Sequence, residues 1–296
     1  MSSINNSQDF APNLVKQILK HIFLLSIFAA LFVGVPIVIS ANPEAYYTPT
    51  AYFSFQAIVL FAYFMYEKLF VKEARWRDFL NAAIASIVLY VGIYIFAILP
   101  FTKLVFNEAY FSILGNNPIA IFFFVLIVGD SIYYLLHRAF HNRRLFHRSG
   151  HFVHHIGTRY FAFLGLINSA IEQPLYFLLD DVLLHSLGNL AAATIYLYFW
   201  TVWPMFIHCL SPTPSAPYHR LIVTPQFHHV HHRPGSLNTN FGRIFTLFDF
   251  LLGTAQLPET DAVEPSLPIG FKAMEAKYGV NWLRWSRENL KALWKR

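Results

Sequence analysis

The sequence predicts an all-α integral membrane protein with about four to six membrane helices and a cytosolic helical cap carrying a histidine-rich dimetal site. Three observations carry that expectation. Only 13% of the 296 residues are charged and 56% are hydrophobic, with a mean hydropathy of +0.43. A soluble domain carries about 25% charged residues, so too few charges remain here to coat a water-facing globule. Apolar runs of about 17–25 residues, long enough to cross a bilayer, recur along the chain, and histidines crowd its second half. The same hydrophobicity excludes intrinsic disorder. A single cysteine, Cys209, excludes a disulfide framework and a thiolate zinc finger.

The clearest apolar runs lie at 22–40, 50–66, 79–100 and 118–136, with a less regular pair at 161–179 and 190–207. The first is longer than a secretory h-region and follows a long polar stretch, so it reads as a membrane anchor. With the N-terminus in the cytosol and the spans alternating, every Lys and Arg except Lys103 falls on the cytosolic side. The positive-inside rule then assigns the net charge of +6 to membrane topology and leaves no role for nucleic acid. The chain divides into membrane helices at 1–117, a catalytic region at 118–257 and a cytosolic tail at 258–296. The tail's residues 271–296 look helical, with Trp282, Trp285 and Trp294 among Lys and Arg. Such a helix suits either a membrane–water interface or packing on the cytosolic part.

All fourteen histidines except His21 lie between His137 and His232. His137 and His141 form H-x3-H; His151, His154 and His155 form H-x2-H-H, and His228, His231 and His232 repeat it. Roughly 0.03 such H-x2-H-H matches are expected by chance at this histidine frequency. Positions i, i+3 and i+4 share a helix face, so each triplet is expected to aim three imidazoles at one spot. Eight imidazoles exceed the capacity of one ion and ask for two. A nitrogen-rich set suits iron, zinc, copper or nickel. The boxes begin where spans reach the cytosolic side, whereas a transporter buries its ligands near mid-membrane.

His137-Arg-x-x-His141, His151-x-x-His154-His155 and Thr224-Pro225-x-x-His228-x-x-His231-His232 resemble the histidine boxes of the membrane-bound fatty acid hydroxylase/sterol desaturase superfamily. Asn240-Phe241-Gly242, Asp249 and Gly253-Thr254 resemble its downstream motifs, and Asp130 and Tyr134 stand before the first box as the family's Asp and Tyr do. The resemblance covers about residues 129–254. It implies a non-haem di-iron oxygenase that uses dioxygen and two electrons from NAD(P)H to abstract hydrogen from a lipid C–H bond, giving hydroxylation or desaturation. It also implies a separate electron-donor protein (a reductase, or a small haem or iron–sulfur carrier), since no fused haem domain is present. A further ligand is implied before the third box, and His208 occupies that place. Some members supply two histidines there, four apart, but the earlier position here is Pro204.

The spacer between the first two boxes is longer than usual, and His147 competes with His151 as ligand; His151 is preferred because it completes its box. Asp130, two turns before His137, is read as hydrogen-bonding a ligand imidazole. Glu172, a carboxylate in an apolar run, is read as pairing with an Arg or a ligand histidine. Asn240 and Asp249 are expected to fix the backbone and ligands after the third box. His219, after a Pro-rich stretch, reads as a loop histidine. The expected location is a multi-pass membrane protein with its active site facing the cytosol, in a bacterial inner membrane or the endoplasmic reticulum. The competing functions are a transition-metal transporter, a dinuclear-metal lipid hydrolase and a non-catalytic scaffold.

Overall fold

The computed structural model describes residues 29–46, 48–71, 76–86, 117–142, 150–157, 161–187, 189–209, 218–259 and 281–294, with isolated positions 15, 18, 19, 21, 22, 25, 26, 145, 146, 270 and 272. Among these residues the secondary structure is helical, apart from one isolated antiparallel bridge between Ile222 and Phe245. The helices are α1 (Val35–Ala41), α2 (Pro49–Tyr66), α3 (Trp76–Ser86), α4 (Pro118–Phe140), α5 (Phe152–His155), α6 (Glu172–Leu187), α7 (Leu190–Ile207), α8 (Pro225–His232), α9 (Leu247–Leu251) and α10 (Trp282–Trp294).

Two of the described helices, α4 and α7, are long and apolar enough to cross a membrane. Both start on a polar cap. Asn117 accepts from the N–H groups of Ile119 and Ala120, and Pro118 takes the first helical position, where its missing N–H has no partner to lose. Asn189 caps α7 through the N–H of Ala192. At 1.5 Å per residue, the 23 residues of α4 reach about 35 Å. One of its faces (Ile121, Phe122, Val125, Leu126, Gly129) is buried, while Ile119, Phe123, Ile127 and Leu135 are exposed at helical spacing. That apolar outer face suits lipid. α7 is enclosed along most of its length and forms the hub on which α1, α2, α4 and α6 pack.

The run at 161–179 does not form one span. A 3-10 turn at Ala162–Leu166 is followed by a break, and helix resumes only at Glu172. Gly165 explains the geometry: a Cβ there would fall on the Pro204 carbonyl of α7 and lie 2.9 Å from His208 Nδ1. The segment is therefore pressed flat against α7 instead of continuing as a helix. The expected spans at 118–136 and 190–207 correspond to α4 and α7; the run at 50–66 forms the helix α2, which is not among the described helices long and apolar enough to cross. Of the run at 79–100, only the part within α3 lies among the described residues.

α10 packs inward. Trp282 and Trp285 are buried against α3 and α5, and the Trp282 backbone N–H donates to Asn81 Oδ1 at 2.7 Å. Leu283 and Leu290 face outward.

Candidate dimetal centre

Every histidine predicted as a ligand is brought to one place, at the ends of α4 and α7 and on α5 and α8, in two groups. His137, His141, His151, His155 and His231 form one; His154, His208, His228 and His232 form the other. All nine are buried. Within each group the ligand nitrogens lie within 4.8 Å of one another. His147 lies outside the described residues.

The expectation that each H-x2-H-H box aims at one spot is corrected. His151 and His155 point into the first group and His154 into the second; in α8, His228 and His232 point into the second and His231 into the first. Helix geometry gives the reason. At 3.6 residues per turn, i and i+4 are about 40° apart around the axis, while i+3 lies about 60° to the other side of i. Each box therefore straddles two adjacent positions and ties them together.

The spacing within each group matches ligands around a cation. His151 Nε2 lies 3.1 Å from His137 Nε2, 2.7 Å from His141 Nε2 and 3.1 Å from His155 Nε2. His208 Nε2 lies 3.2 Å from His154 Nε2, 3.2 Å from His232 Nε2 and 3.0 Å from His228 Nε2. An ion about 2.1 Å from each nitrogen sets adjacent ligands about 3.0 Å apart at right angles and about 3.4 Å apart at tetrahedral angles.

In five of the nine rings the opposite nitrogen sets the tautomer. Nδ1–H donates to a main-chain carbonyl from His137 (Phe241, 2.8 Å), His154 (Ile167, 3.1 Å), His208 (Pro204, 2.6 Å) and His231 (Thr239, 2.7 Å). His151 Nδ1 lies 2.6 Å from Glu172 Oε1, which also accepts from the Tyr176 hydroxyl at 2.9 Å. A carbonyl can only accept, so in a neutral ring each of these partners leaves Nε2 as a bare lone pair. The His154–His208 and His137–His151 contacts then bring two lone pairs to 3.2 and 3.1 Å. Such contacts are repulsive unless a cation lies between them, so the donor set fits metal ions. Burial disfavours the charged form at five of the rings, driving His154 down to about 4 and His231 to about 3, with His155, His228 and His232 well below the ordinary imidazole range.

Glu172 reaches His151, one of the histidines read from the sequence as ligands. Asp130 does not: its carboxylate accepts from the N–H groups of Arg243, Ile244 and Phe245 at 3.2, 2.8 and 2.9 Å. It therefore grips the loop after the third box instead of an imidazole. Asp249 holds that loop from the other side, accepting from the Phe241 and Gly242 N–H groups at 2.8 Å each and from the Thr254 hydroxyl at 2.7 Å. Tyr134 completes the chain by bonding the Thr254 hydroxyl at 2.8 Å. Asn240 adopts the left-handed region (φ 55°), and its side-chain N–H groups donate to the Phe227 and Gln256 carbonyls. Together these contacts fix the Phe241 carbonyl that orients His137.

Several contributors were not read from the sequence. His219 is buried, bonded to Thr224 at 2.6 Å, and Thr224 is the residue that caps α8. The buried Arg243 guanidinium pairs with Asp180 at 3.3 Å and lies over the Trp200 ring at 3.7 Å. Beside the second group is a cavity of about 40 Å³, lined by His154, His208, His228, Tyr133, Trp200 and Arg243 among others. The tail also participates: the Gly270 N–H donates to the His232 carbonyl, and Trp282 Nε1–H donates to the Asn168 carbonyl at 2.7 Å. Gly165→Ala is expected to displace the Pro204–His208 turn and lower the thermal midpoint by an amount equivalent to about 1–3 kcal/mol of overpacking. The check is thermal unfolding of the two proteins side by side, together with their metal content.

Residues 122–254 match the family model described as fatty acid hydroxylase. The resemblance carried by the histidine boxes is thus borne out, and the matched segment is the one that builds both histidine groups. The chain is 26% identical over 140 residues to an alkylglycerol monooxygenase of Caenorhabditis elegans, covering 47% of this chain and 27% of that protein. It is 27% identical over 150 residues to a very-long-chain aldehyde decarbonylase of Oryza sativa subsp. japonica, covering 47% of this chain and 23% of that protein. A second such decarbonylase, from Oryza sativa subsp. indica, is 28% identical over 150 residues, with 47% and 24% covered. The chain thus spans about a quarter of the length of these curated relatives. No solved structure matches it.

Proposed function

We propose that the chain is a membrane-bound di-iron oxidoreductase that hydroxylates or desaturates a lipid C–H bond with dioxygen and two electrons. The observation that carries this reading is the pair of adjacent all-histidine groups whose ring nitrogens converge, five of the rings having Nδ1 engaged so that Nε2 faces inward as a lone pair. His137, His141, His151, His155 and His231 would hold one iron, and His154, His208, His228 and His232 the other. Bound there, the irons would supply reduction of dioxygen and oxidation of an unactivated C–H bond. The chain's own groups do the positioning. Glu172, the Phe241 carbonyl and the Pro204 carbonyl aim the rings, and Asp130, Asp249 and Asn240 hold the loop that presents Phe241. The small cavity beside His154, His208 and His228 leaves room next to one site for a molecule of dioxygen's size.

The relatives' names support a lipid substrate, since one acts on an alkylglycerol and the others on very-long-chain aldehydes. α4 and α7 suit a membrane, with 1–117 as membrane helices, 118–257 as the catalytic region and 258–296 as the tail. The histidines lie at the α4 and α7 ends where the basic residues gather, which favours a cytosolic active site, in a bacterial inner membrane or the endoplasmic reticulum, fed from NAD(P)H by a separate carrier. A transporter would place its ligands at mid-span. A hydrolase of the thermolysin kind includes a carboxylate among its metal ligands, whereas both groups here are histidine alone.

Purified protein loaded with iron is expected to bind two ions per chain, measured by elemental analysis. Lipid mass spectrometry of cells with and without the protein should show products one oxygen heavier or two hydrogens lighter. No metal uptake, or no such product across fatty acyl, sterol and ether lipids, defeats the reading.

A further inference from the structure

The catalytic region carries an apolar surface that the metal chemistry does not use. In α9 and the residue that follows it, Leu247, Phe250, Leu251 and Leu252 are 52%, 38%, 67% and 47% exposed. The acidic residue of this segment, Asp249, is turned inward onto the Phe241 and Gly242 N–H groups, so the outward face carries no charge. Leu221, 66% exposed, joins the same face, because the Thr246 N–H donates to its carbonyl and the Ile222–Phe245 bridge aligns the two segments. Folding leaves these five apolar side chains together in water unless something covers them.

We infer that this patch is a membrane-contacting surface, lying in the plane of the cytosolic leaflet among anionic lipid headgroups. The inference rests on α4 crossing the bilayer, as proposed above. Three observations favour lipid over a soluble partner. The first is depth. Phe248 of α9 packs on Tyr134 of α4, with ring centroids 5.8 Å apart. Tyr134 lies four residues, about 6 Å, before Arg138, the exposed basic residue that marks where α4 meets the headgroups. The second is continuity, because Leu135, next to Tyr134, is 59% exposed and ends the outer stripe that also holds Ile119, Phe123 and Ile127. The third is the rim. Arg220 lies 6.0 Å from the Phe250 ring centroid, and Tyr218 beside it is 48% exposed. A tyrosine and an arginine bordering an apolar patch suit the headgroup layer.

The test attaches a bimane fluorophore through Leu251→Cys in the full-length protein. Cys209 is buried and is not expected to react. A second protein carries the probe through Ile127→Cys on the outer face of α4. Both are reconstituted into phosphatidylcholine–phosphatidylglycerol vesicles, with quenching by doxyl-labelled lipid compared with quenching by aqueous iodide. The expected result is several-fold stronger quenching by doxyl lipid than by iodide at both positions. Lipid quenching at 127 with iodide quenching at 251 overturns the inference and leaves the span in place. Iodide quenching at both positions overturns the span as well. Shielding at 251 that appears only when a soluble protein is added also overturns it, assigning the patch to that protein.

Discussion

His154→Ala is expected to bring product formation to background while leaving the protein in the membrane and binding one ion per chain instead of two. The group holding His154 has four imidazoles, and the loss leaves three, one of which (His208) loses its 3.2 Å neighbour. The five-histidine group shares no ring with it and keeps its complete set. His231→Ala is the matched comparison. It removes one ligand of five, so both ions should be retained, the first more weakly, as read by competition with a chelator. The two groups thus predict different metal stoichiometries for two substitutions of the same kind. A reaction that needs two electrons and dioxygen at one place draws on both positions, so activity should fall in both proteins. Normal product formation by His154→Ala would falsify the assignment.

The difference between those two variants was not legible in the sequence. The boxes themselves were, because the side-chain identity and the spacing of His151, His154, His155, His228, His231 and His232 are carried by the letters of the sequence. So was the helical character of α4, through a clear apolar run, and of α7, through a less regular one. The sharing of each box between two positions depends on where a short helix such as α5 is anchored, and nothing local to Phe152–His155 states that. The groups that aim the rings are mostly main-chain carbonyls (Phe241, Ile167, Pro204, Thr239), and a carbonyl leaves no trace in residue identity. Asp130 was found, since an acid in an apolar helix stands out, but its partners lie more than a hundred residues away along the chain, and spacing along α4 pointed instead to His137. In the sequence Gly165 is one small residue within an apolar run. Its need is set by the close approach of α7, which also broke the expected span at 161–179.

Glu172→Gln is expected to weaken metal retention and activity by about 10–100-fold, the usual effect of removing a partner behind a ligand. Glutamine can still accept from His151 Nδ1–H through its carbonyl oxygen, so the ring keeps its tautomer and direction. What disappears is the negative charge, which makes His151 a stronger donor and offsets part of the charge of a bound cation. The stability effect should therefore grow when metal is bound. In the stripped protein, Glu172 is a fully buried carboxylate with one ring and one tyrosine hydroxyl as its described partners, and burying such a charge is costly. The His151 ring and the Tyr176 hydroxyl nevertheless hold the carboxyl below its ordinary range, so the metal-free variant should unfold slightly below the parent. With iron bound, the carboxylate's charge is compensated and the parent should be the more stable by a wider margin. Thermal midpoints measured for both proteins, chelated and iron-loaded, give four values. A variant that is less stable than the parent by the same margin in both states would show that Glu172 merely packs, because a purely structural contact has no reason to respond to the cation beyond His151.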